Sequence, residues 1–135
     1  MKVGLLSYRS HPYSGGQGIY IKHLSKALKN LGHEVSVLSG PPYPELDPEV
    51  NLIKIPSLGL FESGERLKAF RLRFLWSPID LYEWITVMTG GFPEPYTYGK
   101  RVLKKLKENN LQLDVLLDNQ SLSSSLLEIQ AHYPL

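Results

Sequence analysis

The fold class follows most directly from residues 1–40, which read MKVGLLSYRSHPYSGGQGIYIKHLSKALKNLGHEVSVLSG. Lys2 to Ser7 is a short apolar run with polar flanks, typical of a strand buried on both faces of a parallel sheet. Apolar residues then recur at helical spacing, namely Tyr20, Leu24, Ala27, Leu28 and Leu31. Gly32 follows the last of them, as expected where a helix ends. The β-branched segment from Glu34 to Leu38 predicts a second strand, so these residues form a right-handed βαβ unit.

The rest of the chain continues the alternation of strands and helices. The predicted elements are a third strand from Asn51 to Ile55, two helical pieces from Arg66 to Met88 that break near Ser77-Pro78, a helix that begins near Pro93 and Pro95 and ends at Asn109-Asn110, a fourth strand from Asp114 to Asp118, and a helix from Ser121 to Gln130 that Asp118, Asn119 or Ser121 could cap. We therefore predict an α/β fold, a Rossmann-like parallel sheet with helices on both faces, in one domain spanning residues 1–135. The alternation would next supply a strand after Leu135, so we expect this domain to be incomplete at its C-terminus.

The composition excludes several classes of protein. Hydrophobic residues make up 42% and charged residues 21%, which are values of a folded globular chain and not of a disordered one. The formal net charge of +2 is too small for a dedicated polyanion binder. The absence of cysteine excludes disulfides, thiolate metal ligands and cysteine nucleophiles. The sequence has neither a signal-peptide core nor an apolar run of the ~20 residues that span a membrane, so we expect a cytoplasmic protein.

A glycine-rich turn separates the first strand from the first helix. Free backbone N–H groups and the helix dipole favour an anion at this position of an open α/β sheet, and we predict that Gly15, Gly16 and Gln17 contact a phosphate. The alternative is that the glycines only allow a tight turn. A dinucleotide fingerprint is excluded because Ile21 stands where a third small residue is needed. A P-loop is excluded because no Lys-Ser/Thr pair follows the turn.

Three motifs of the first 40 residues form a specific combination. They are Gly15-Gly16 before the helix, His-Leu-Ser-Lys-Ala-Leu at residues 23–28, and Leu-Gly-His-Glu-Val-Ser-Val-Leu-Ser at residues 31–39. The combination resembles the opening of the retaining glycosyltransferases of family 4, whose GT-B architecture places two Rossmann-like domains across a cleft. Beyond residue 40 the resemblance rests on element order and on Asp118-Asn119-Gln120-Ser121 after the fourth strand.

The resemblance implies an enzyme that transfers a hexosyl group. In such enzymes the N-terminal domain holds the acceptor, and its glycine turn approaches the diphosphate of a nucleotide sugar. The C-terminal domain binds the nucleotide and carries two glutamates eight positions apart, a pair that this chain does not contain. The implied partners are therefore a nucleotide diphosphate sugar as co-substrate, a sugar or lipid-linked acceptor, and a missing C-terminal domain. No cofactor is implied, and we expect the 135-residue chain alone to be inactive.

The resemblance also suggests which polar residues meet the acceptor. Arg9 and His11 lie in the loop after the first strand, and Asn119 and Gln120 follow the fourth strand, where side chains of a doubly wound sheet reach its cleft. Helix capping is the alternative role for Asn119. Asp118 is a weak candidate for a catalytic base, since a single carboxylate without a visible partner is more often structural. The histidines show no metal-ligand spacing, so we predict no metal site.

A basic and aromatic segment leaves a membrane contact open. Its residues are Arg66, Lys68, Arg71, Arg73 and Trp76. Such a pattern suits an anionic membrane surface, but it equally suits a helix that packs on the sheet with its cations solvated. A second basic cluster, Lys100 to Lys107, has no aromatic residues for base stacking, so we predict no nucleic-acid partner. The rival to the enzyme hypothesis is a non-catalytic α/β module that binds a phosphate ligand or a membrane surface.

Overall fold

Four parallel strands form one sheet in the computed structural model, which describes residues 1–60, 72–121 and 123–134. In chain order the elements are β1 (Lys2–Ser7), α1 (Gln17–Asn30), β2 (Glu34–Ser39), β3 (Asn51–Lys54), a 3₁₀ helix (Leu72–Trp76), α2 (Pro78–Met88), α3 (Glu94–Glu108), β4 (Val115–Asp118) and α4 (Ser125–Gln130). The strand order is β3-β2-β1-β4, so the chain runs outward from β1 in both directions. A crevice is expected beside the carboxyl ends of β1 and β4, where the winding direction reverses.

Two hydrophobic clusters cover the two faces of this sheet. One joins α1 to the sheet and consists of Val3, Leu5, Ile21, Val35, Val37 and Val50. The other joins α3 and α4 to the opposite face and consists of Leu6, Leu38, Ile55, Tyr98, Val102, Leu106, Leu116 and Ile129. Successive residues of β1 point to opposite faces, which is why an uninterrupted apolar run supplies both clusters. The predicted Rossmann-like sheet with helices on both faces is confirmed.

The register places the carboxyl ends of the central strands side by side. Ser7 pairs with Ser39 across β1 and β2, and Leu6 pairs with Asp118 across β1 and β4. The Tyr98 hydroxyl accepts a hydrogen bond from the Ser7 N–H (2.9 Å) and donates one to the Leu38 carbonyl (2.6 Å). Burial raises the pKa of Tyr98 far above its ordinary value, so this hydroxyl stays protonated. The Tyr98 side chain of α3 therefore holds β1 and β2 together at the edge that carries the candidate site.

Helix α2 begins where the sequence predicts a break. Ser77 is extended and its hydroxyl accepts the Asp80 N–H at 3.4 Å, with Pro78 at the first helical position. The 3₁₀ helix ends at Trp76, so the predicted interruption near Ser77-Pro78 is confirmed. The earlier part of the predicted helical region, residues 66–71, lies outside the described residues.

Helix α2 is tied to α3 by a buried ion-pair network. Arg101 contacts Asp80 and Glu83 at 2.6 Å each, through its two terminal nitrogens. The Glu83 side chain is fully buried, and its other oxygen accepts hydrogen bonds of 3.3 Å from the Ser57 hydroxyl and the Leu58 N–H. Burying a carboxylate is tolerable only with such compensation. The network thereby fixes α2, α3 and the loop after β3 to one another.

Two sequence predictions about element length and orientation are wrong. The helix predicted from Ser121 to Gln130 is shorter, since it starts only at Ser125, and Gln120 before the predicted start has a left-handed φ of 62°. Its N-cap is Ser124 and makes no side-chain cap bond, so none of the predicted caps serves α4. The predicted apolar stripe of α1 is partly misplaced. Leu24 and Leu28 pack against the core as predicted, but Tyr20 and Leu31 are exposed. The buried positions are Gly18, Ile21 and Ser25, so small residues occupy part of the core-facing side.

Two smaller differences concern the strand ends. β3 ends at Lys54, although the N–H of Ile55 still bonds the Ser39 carbonyl at 2.8 Å. β4 starts at Val115, one residue after the predicted Asp114, whose carboxylate accepts the Lys2 N–H at 2.7 Å. After α4 the chain returns to β4, where the Pro134 carbonyl accepts the Leu116 N–H at 2.8 Å.

Candidate functional site

The glycine turn presents the N-terminus of α1 at the crevice. Gly15 and Gly16 have φ values of 78° and 72°, a backbone region that L side chains rarely adopt. Gly16 is the N-cap and makes no side-chain cap bond, and the Gln17 N–H bonds the Gly15 carbonyl at 2.8 Å. Apart from the glycines themselves and their neighbours in the chain, no described atom lies within 4 Å of a Cβ placed on either glycine. The turn therefore opens outward, with the positive end of the helix dipole behind it.

Gly18 lets the loop after β1 lie directly on α1. A Cβ at this position would lie 2.2 Å from the His11 carbonyl oxygen and 2.6 Å from the Ser10 carbonyl oxygen. The same loop is anchored from beneath by hydroxyls, since Ser10 donates to Ser7 at 2.7 Å and Ser39 donates to Ser10 at 3.0 Å. These buried contacts fix the path of the chain that leads to the glycine turn.

The residues after β4 form a turn held by one carboxylate. Asp118 Oδ2 accepts the Ser121 N–H at 2.9 Å, and Asp118 Oδ1 accepts the Ser121 hydroxyl. Between them, Asn119 bonds the Leu6 carbonyl through its backbone N–H at 2.8 Å, and Gln120 takes its left-handed conformation. A non-glycine residue in this region costs about 1–3 kcal/mol, and such strain is concentrated at functional sites. The Asn119 Nδ2 atom is buried and has no hydrogen-bond partner among the described residues.

The two loops meet across the crevice. Gln17 Nε2 donates to Gln120 Oε1 at 3.3 Å, a contact between residues 103 positions apart in the chain. A cleft of about 300 Å³ lies at this meeting point, lined by Gly15, Gly16, Gln17, Tyr20, Asn119 and Gln120. The structure thus brings together the predicted phosphate-binding turn and two of the predicted acceptor-binding residues.

A second cleft lies on the other side of the glycine turn. It has a volume of about 290 Å³ and is lined by Arg9, His11, Ser14, Gly15, Gln17 and Pro42. Arg9 Nε lies 3.5 Å from Glu94 Oε2, whose side chain is nearly buried in the first turn of α3. The other predicted acceptor residues, Arg9 and His11, therefore line the second cleft. Gly15 and Gln17 line both clefts.

An aromatic residue links the loop after β1 to the loop after β2. The Tyr13 hydroxyl donates a hydrogen bond to Glu45, and this bond raises the Tyr13 pKa above its ordinary value. The Tyr13 N–H bonds His11 Nδ1 at 3.1 Å. His11 is thereby oriented by its own loop, and both loops border the second cleft.

Sequence reasoning missed Tyr20, which it placed on the buried face of α1. Tyr20 is 55% exposed and lines the first cleft. The available signal was Ile21, which is buried together with Ser25 four positions later, as residues on one face of a helix are. Glu94 was also missed, because its link to Arg9 depends on tertiary packing.

The predicted membrane-contact residues are described only in part. Arg66, Lys68 and Arg71 lie outside the described residues, and Arg73 belongs to the 3₁₀ helix. Trp76 is 90% exposed. Among the described residues, no helix has the length and apolarity needed to cross a bilayer. The same part of the chain contains no group of three His, Asp or Glu side chains that could hold a metal ion.

Comparison with known proteins assigns the chain to a family. Residues 14–127 match the profile of Glycosyltransferase Family 4. The chain belongs to this family. The MMP alpha-(1->4)-mannosyltransferase of Mycolicibacterium hassiacum is 47% identical over 130 residues, which are 96% of this chain and 32% of that protein. This family 4 chain therefore spans about a third of the length of its curated relative, and both clefts lie within that third.

Proposed function

We propose that this chain is the acceptor-side domain of a GT-B glycosyltransferase that transfers a sugar from a nucleotide diphosphate sugar to an acceptor hydroxyl with retention. The observation that carries the proposal is the convergence of the glycine turn and the β4 loop on one cleft, marked by the contact between Gln17 and Gln120. This places an anion-favouring helix terminus beside side-chain amides that suit hydroxyl groups. Membership of family 4 supports the same reaction class.

The glycine turn would act on the leaving group. Cleavage of the donor's anomeric bond develops negative charge on the diphosphate, and preorganised N–H groups stabilise such charge without reorganising. The Gln17 N–H already bonds the Gly15 carbonyl, so it keeps the turn in shape and is not itself a free donor to the phosphate. The open approach to Gly15 and Gly16 leaves room for phosphate oxygens close to the backbone.

The acceptor would need positioning more than a protein base. In a retaining transfer the hydroxyl attacks the face that the phosphate leaves, so the leaving phosphate itself can take the hydroxyl proton. Asn119 and Gln120 on one side, and Arg9 and His11 on the other, would hold the acceptor hydroxyl at the face that the phosphate leaves. Both oxygens of Asp118 already accept hydrogen bonds from Ser121, which supports a structural role for this carboxylate.

The relative's name suggests the donor class. Because that protein is named a mannosyltransferase, we propose a mannosyl or closely similar hexosyl donor for this chain. The nucleotide and the paired glutamates would be supplied by a second domain, as in other GT-B enzymes. We place this reaction in the cytoplasm. The proposed acceptor is a free or lipid-linked sugar.

A chimera tests the proposal directly. This chain replaces the matching third of the Mycolicibacterium hassiacum enzyme, and the product is assayed for nucleotide diphosphate release and sugar transfer with that enzyme's own donor and acceptor. We expect turnover within about tenfold of the parent enzyme. A Gly16→Val variant of the chimera should lose about tenfold or more in donor kcat/KM, because the side chain would occupy the approach of the phosphate. A folded chimera without turnover would refute the proposal.

The non-catalytic alternative is favoured by one observation. Trp76 and Leu75 are 90% and 61% exposed at the end of the 3₁₀ helix, and exposed aromatic residues suit a membrane interface. Co-sedimentation with anionic phospholipid vesicles distinguishes the two readings when it is combined with the chimera assay. Vesicle binding that is lost in Trp76→Ala, with an inactive chimera, would favour the membrane module.

A further inference from the structure

We propose that Asp118 is a positioning residue, which holds Gln120 in its left-handed conformation so that the Gln120 side chain can clasp Gln17 and join the two halves of the cleft. The inference rests on the proposed function of the cleft. It assigns Asp118 a role different from that of a catalytic base. It also makes the position of the acceptor-side amides depend on a carboxylate that does not itself reach the acceptor.

Gln120 has an unusual backbone conformation. Its φ of 62° lies in a region that glycine, asparagine and aspartate adopt far more readily than glutamine does. A glutamine stays there only when its neighbours hold it. The structure shows that support on both sides, because Asp118 and Ser121 are joined by two hydrogen bonds that close the turn around it.

The turn formed by residues 118–121 is anchored in the fold. Ser121 is 2% exposed, so its hydroxyl and N–H need partners inside the protein, and Asp118 provides both. The Asn119 N–H bonds the Leu6 carbonyl at 2.8 Å and attaches the turn to the end of β1. With three of its four residues held, the turn fixes the backbone of Gln120, whose exposed side chain extends to Gln17 of α1.

The Gln120 side chain connects the turn to the donor side of the cleft. Gln120 Oε1 accepts the Gln17 amide at 3.3 Å, and Gln17 directly follows the two glycines that open toward the phosphate site. The contact lies in a cleft that both loops line. A displacement of Gln120 would therefore widen the cleft where donor and acceptor meet, although no charge on the reacting atoms would change.

The test compares Asp118, the last residue of β4, with Asp114, which directly precedes the same strand. Asp114 Oδ2 accepts the Lys2 N–H at 2.7 Å, far from the cleft, which makes Asp114→Ala the matched control. In the full 135-residue chain, the side-chain amide signals of Gln17 are followed by ¹H–¹⁵N NMR. We expect Asp118→Ala to shift these signals in the same direction as Gln120→Ala does, and Asp114→Ala to leave them in place.

A milder variant covers the case in which Asp118→Ala does not fold. Ser121→Ala keeps the backbone N–H that bonds Asp118 but removes the hydroxyl, so it should shift the Gln17 amide signals part of the way. Unshifted Gln17 signals in folded Asp118→Ala or Ser121→Ala would overturn the proposal.

Kinetics of the chimera separate positioning from base catalysis. We expect Asp118→Asn to raise the acceptor KM about tenfold while kcat stays within about threefold and keeps its pH profile. A fall in kcat of about a hundredfold or more, with an altered pH profile, would show a base and overturn the inference. If the chimera is inactive, the proposed function fails. The Gln17 amide signals still report whether Asp118 controls the contact between Gln120 and Gln17.

Discussion

The hydroxyl of Tyr98 donates a 2.6 Å hydrogen bond to the Leu38 carbonyl, which lies 60 positions earlier in the chain. The same oxygen accepts the Ser7 N–H, so one side chain of α3 joins β1 and β2 where the loops of the candidate site leave the sheet. Tyr98 is thus a structural support for the site as well as part of the core.

Tyr98→Phe should lower the free energy of unfolding by about 1–3 kcal/mol, because a buried N–H and a buried carbonyl each lose a partner. Urea unfolding of the full chain measures the change. Tyr82→Phe is the control, since Tyr82 is 48% exposed and should change stability by less than about 0.5 kcal/mol. Equal effects of the two substitutions would contradict the assigned role of the Tyr98 hydroxyl.

Gly18→Ala should destabilise the chain by about 3 kcal/mol, because the new methyl group meets backbone carbonyl oxygens that cannot move independently. The contacts are the carbonyls of Ser10 and His11. Gly16→Ala has open space around its Cβ, so only the left-handed conformation penalises it, by about 1 kcal/mol. Urea denaturation of both variants compares the two effects, and a smaller loss for Gly18→Ala than for Gly16→Ala would contradict the packing argument.

Arg101→Met should lower stability by about 3–5 kcal/mol, since it leaves the fully buried Glu83 without its cation. Lys104→Met on the same helix is the matched control, because its pairing with Glu108 at 3.8 Å is solvent-exposed and worth at most about 0.5 kcal/mol.

Thermal unfolding of Arg101→Met and of the double variant Glu83→Gln/Arg101→Met isolates the buried charge. The double variant should be the more stable of the two, because the carboxylate that lost its partner is then gone. A double variant that is less stable than Arg101→Met would show that the charge of Glu83 is not the cause.

Asp47→Asn should remove a pH-dependent part of the stability. The hydrogen bond from Lys26 lowers the Asp47 pKa below its ordinary value of 3.8. A lowered folded-state pKa stabilises the protein above the unfolded-state pKa, and this contribution disappears as the pH falls through the folded-state value.

Urea midpoints at about pH 7 and about pH 3 check the prediction for Asp47. Wild type should exceed Asp47→Asn at neutral pH, and the difference should shrink at acid pH and in high salt, because the pair is exposed. Lys26→Met should reproduce the neutral-pH loss. A difference that does not change with pH would contradict a role for the Asp47 charge.

Local chemistry was enough to predict most of the elements. The βαβ opening, the break at Ser77-Pro78 and the end of α3 at Asn109 all depend on periodicity and on capping residues within a few positions. The same local reasoning failed for the start of α4, which lies later than predicted, and for part of the buried face of α1. The buried face of α1 is decided by the strands on which the helix packs, and these lie elsewhere in the chain. The turn before α4 is closed locally by Asp118 and Ser121, but the left-handed conformation of Gln120 within it has no signal in the sequence.

The sequence by itself determined the fold class and the position of the glycine turn, since apolar runs, helical spacing and glycine act over short distances. Only the tertiary structure decided that Gln17 meets Gln120 and that Tyr20 lines the cleft where they meet. The physical reason is the strand order β3-β2-β1-β4, which places β4 beside β1 and brings residues about a hundred positions apart to one edge of the sheet. The spacing of residues along the chain does not show that β4 lies beside β1.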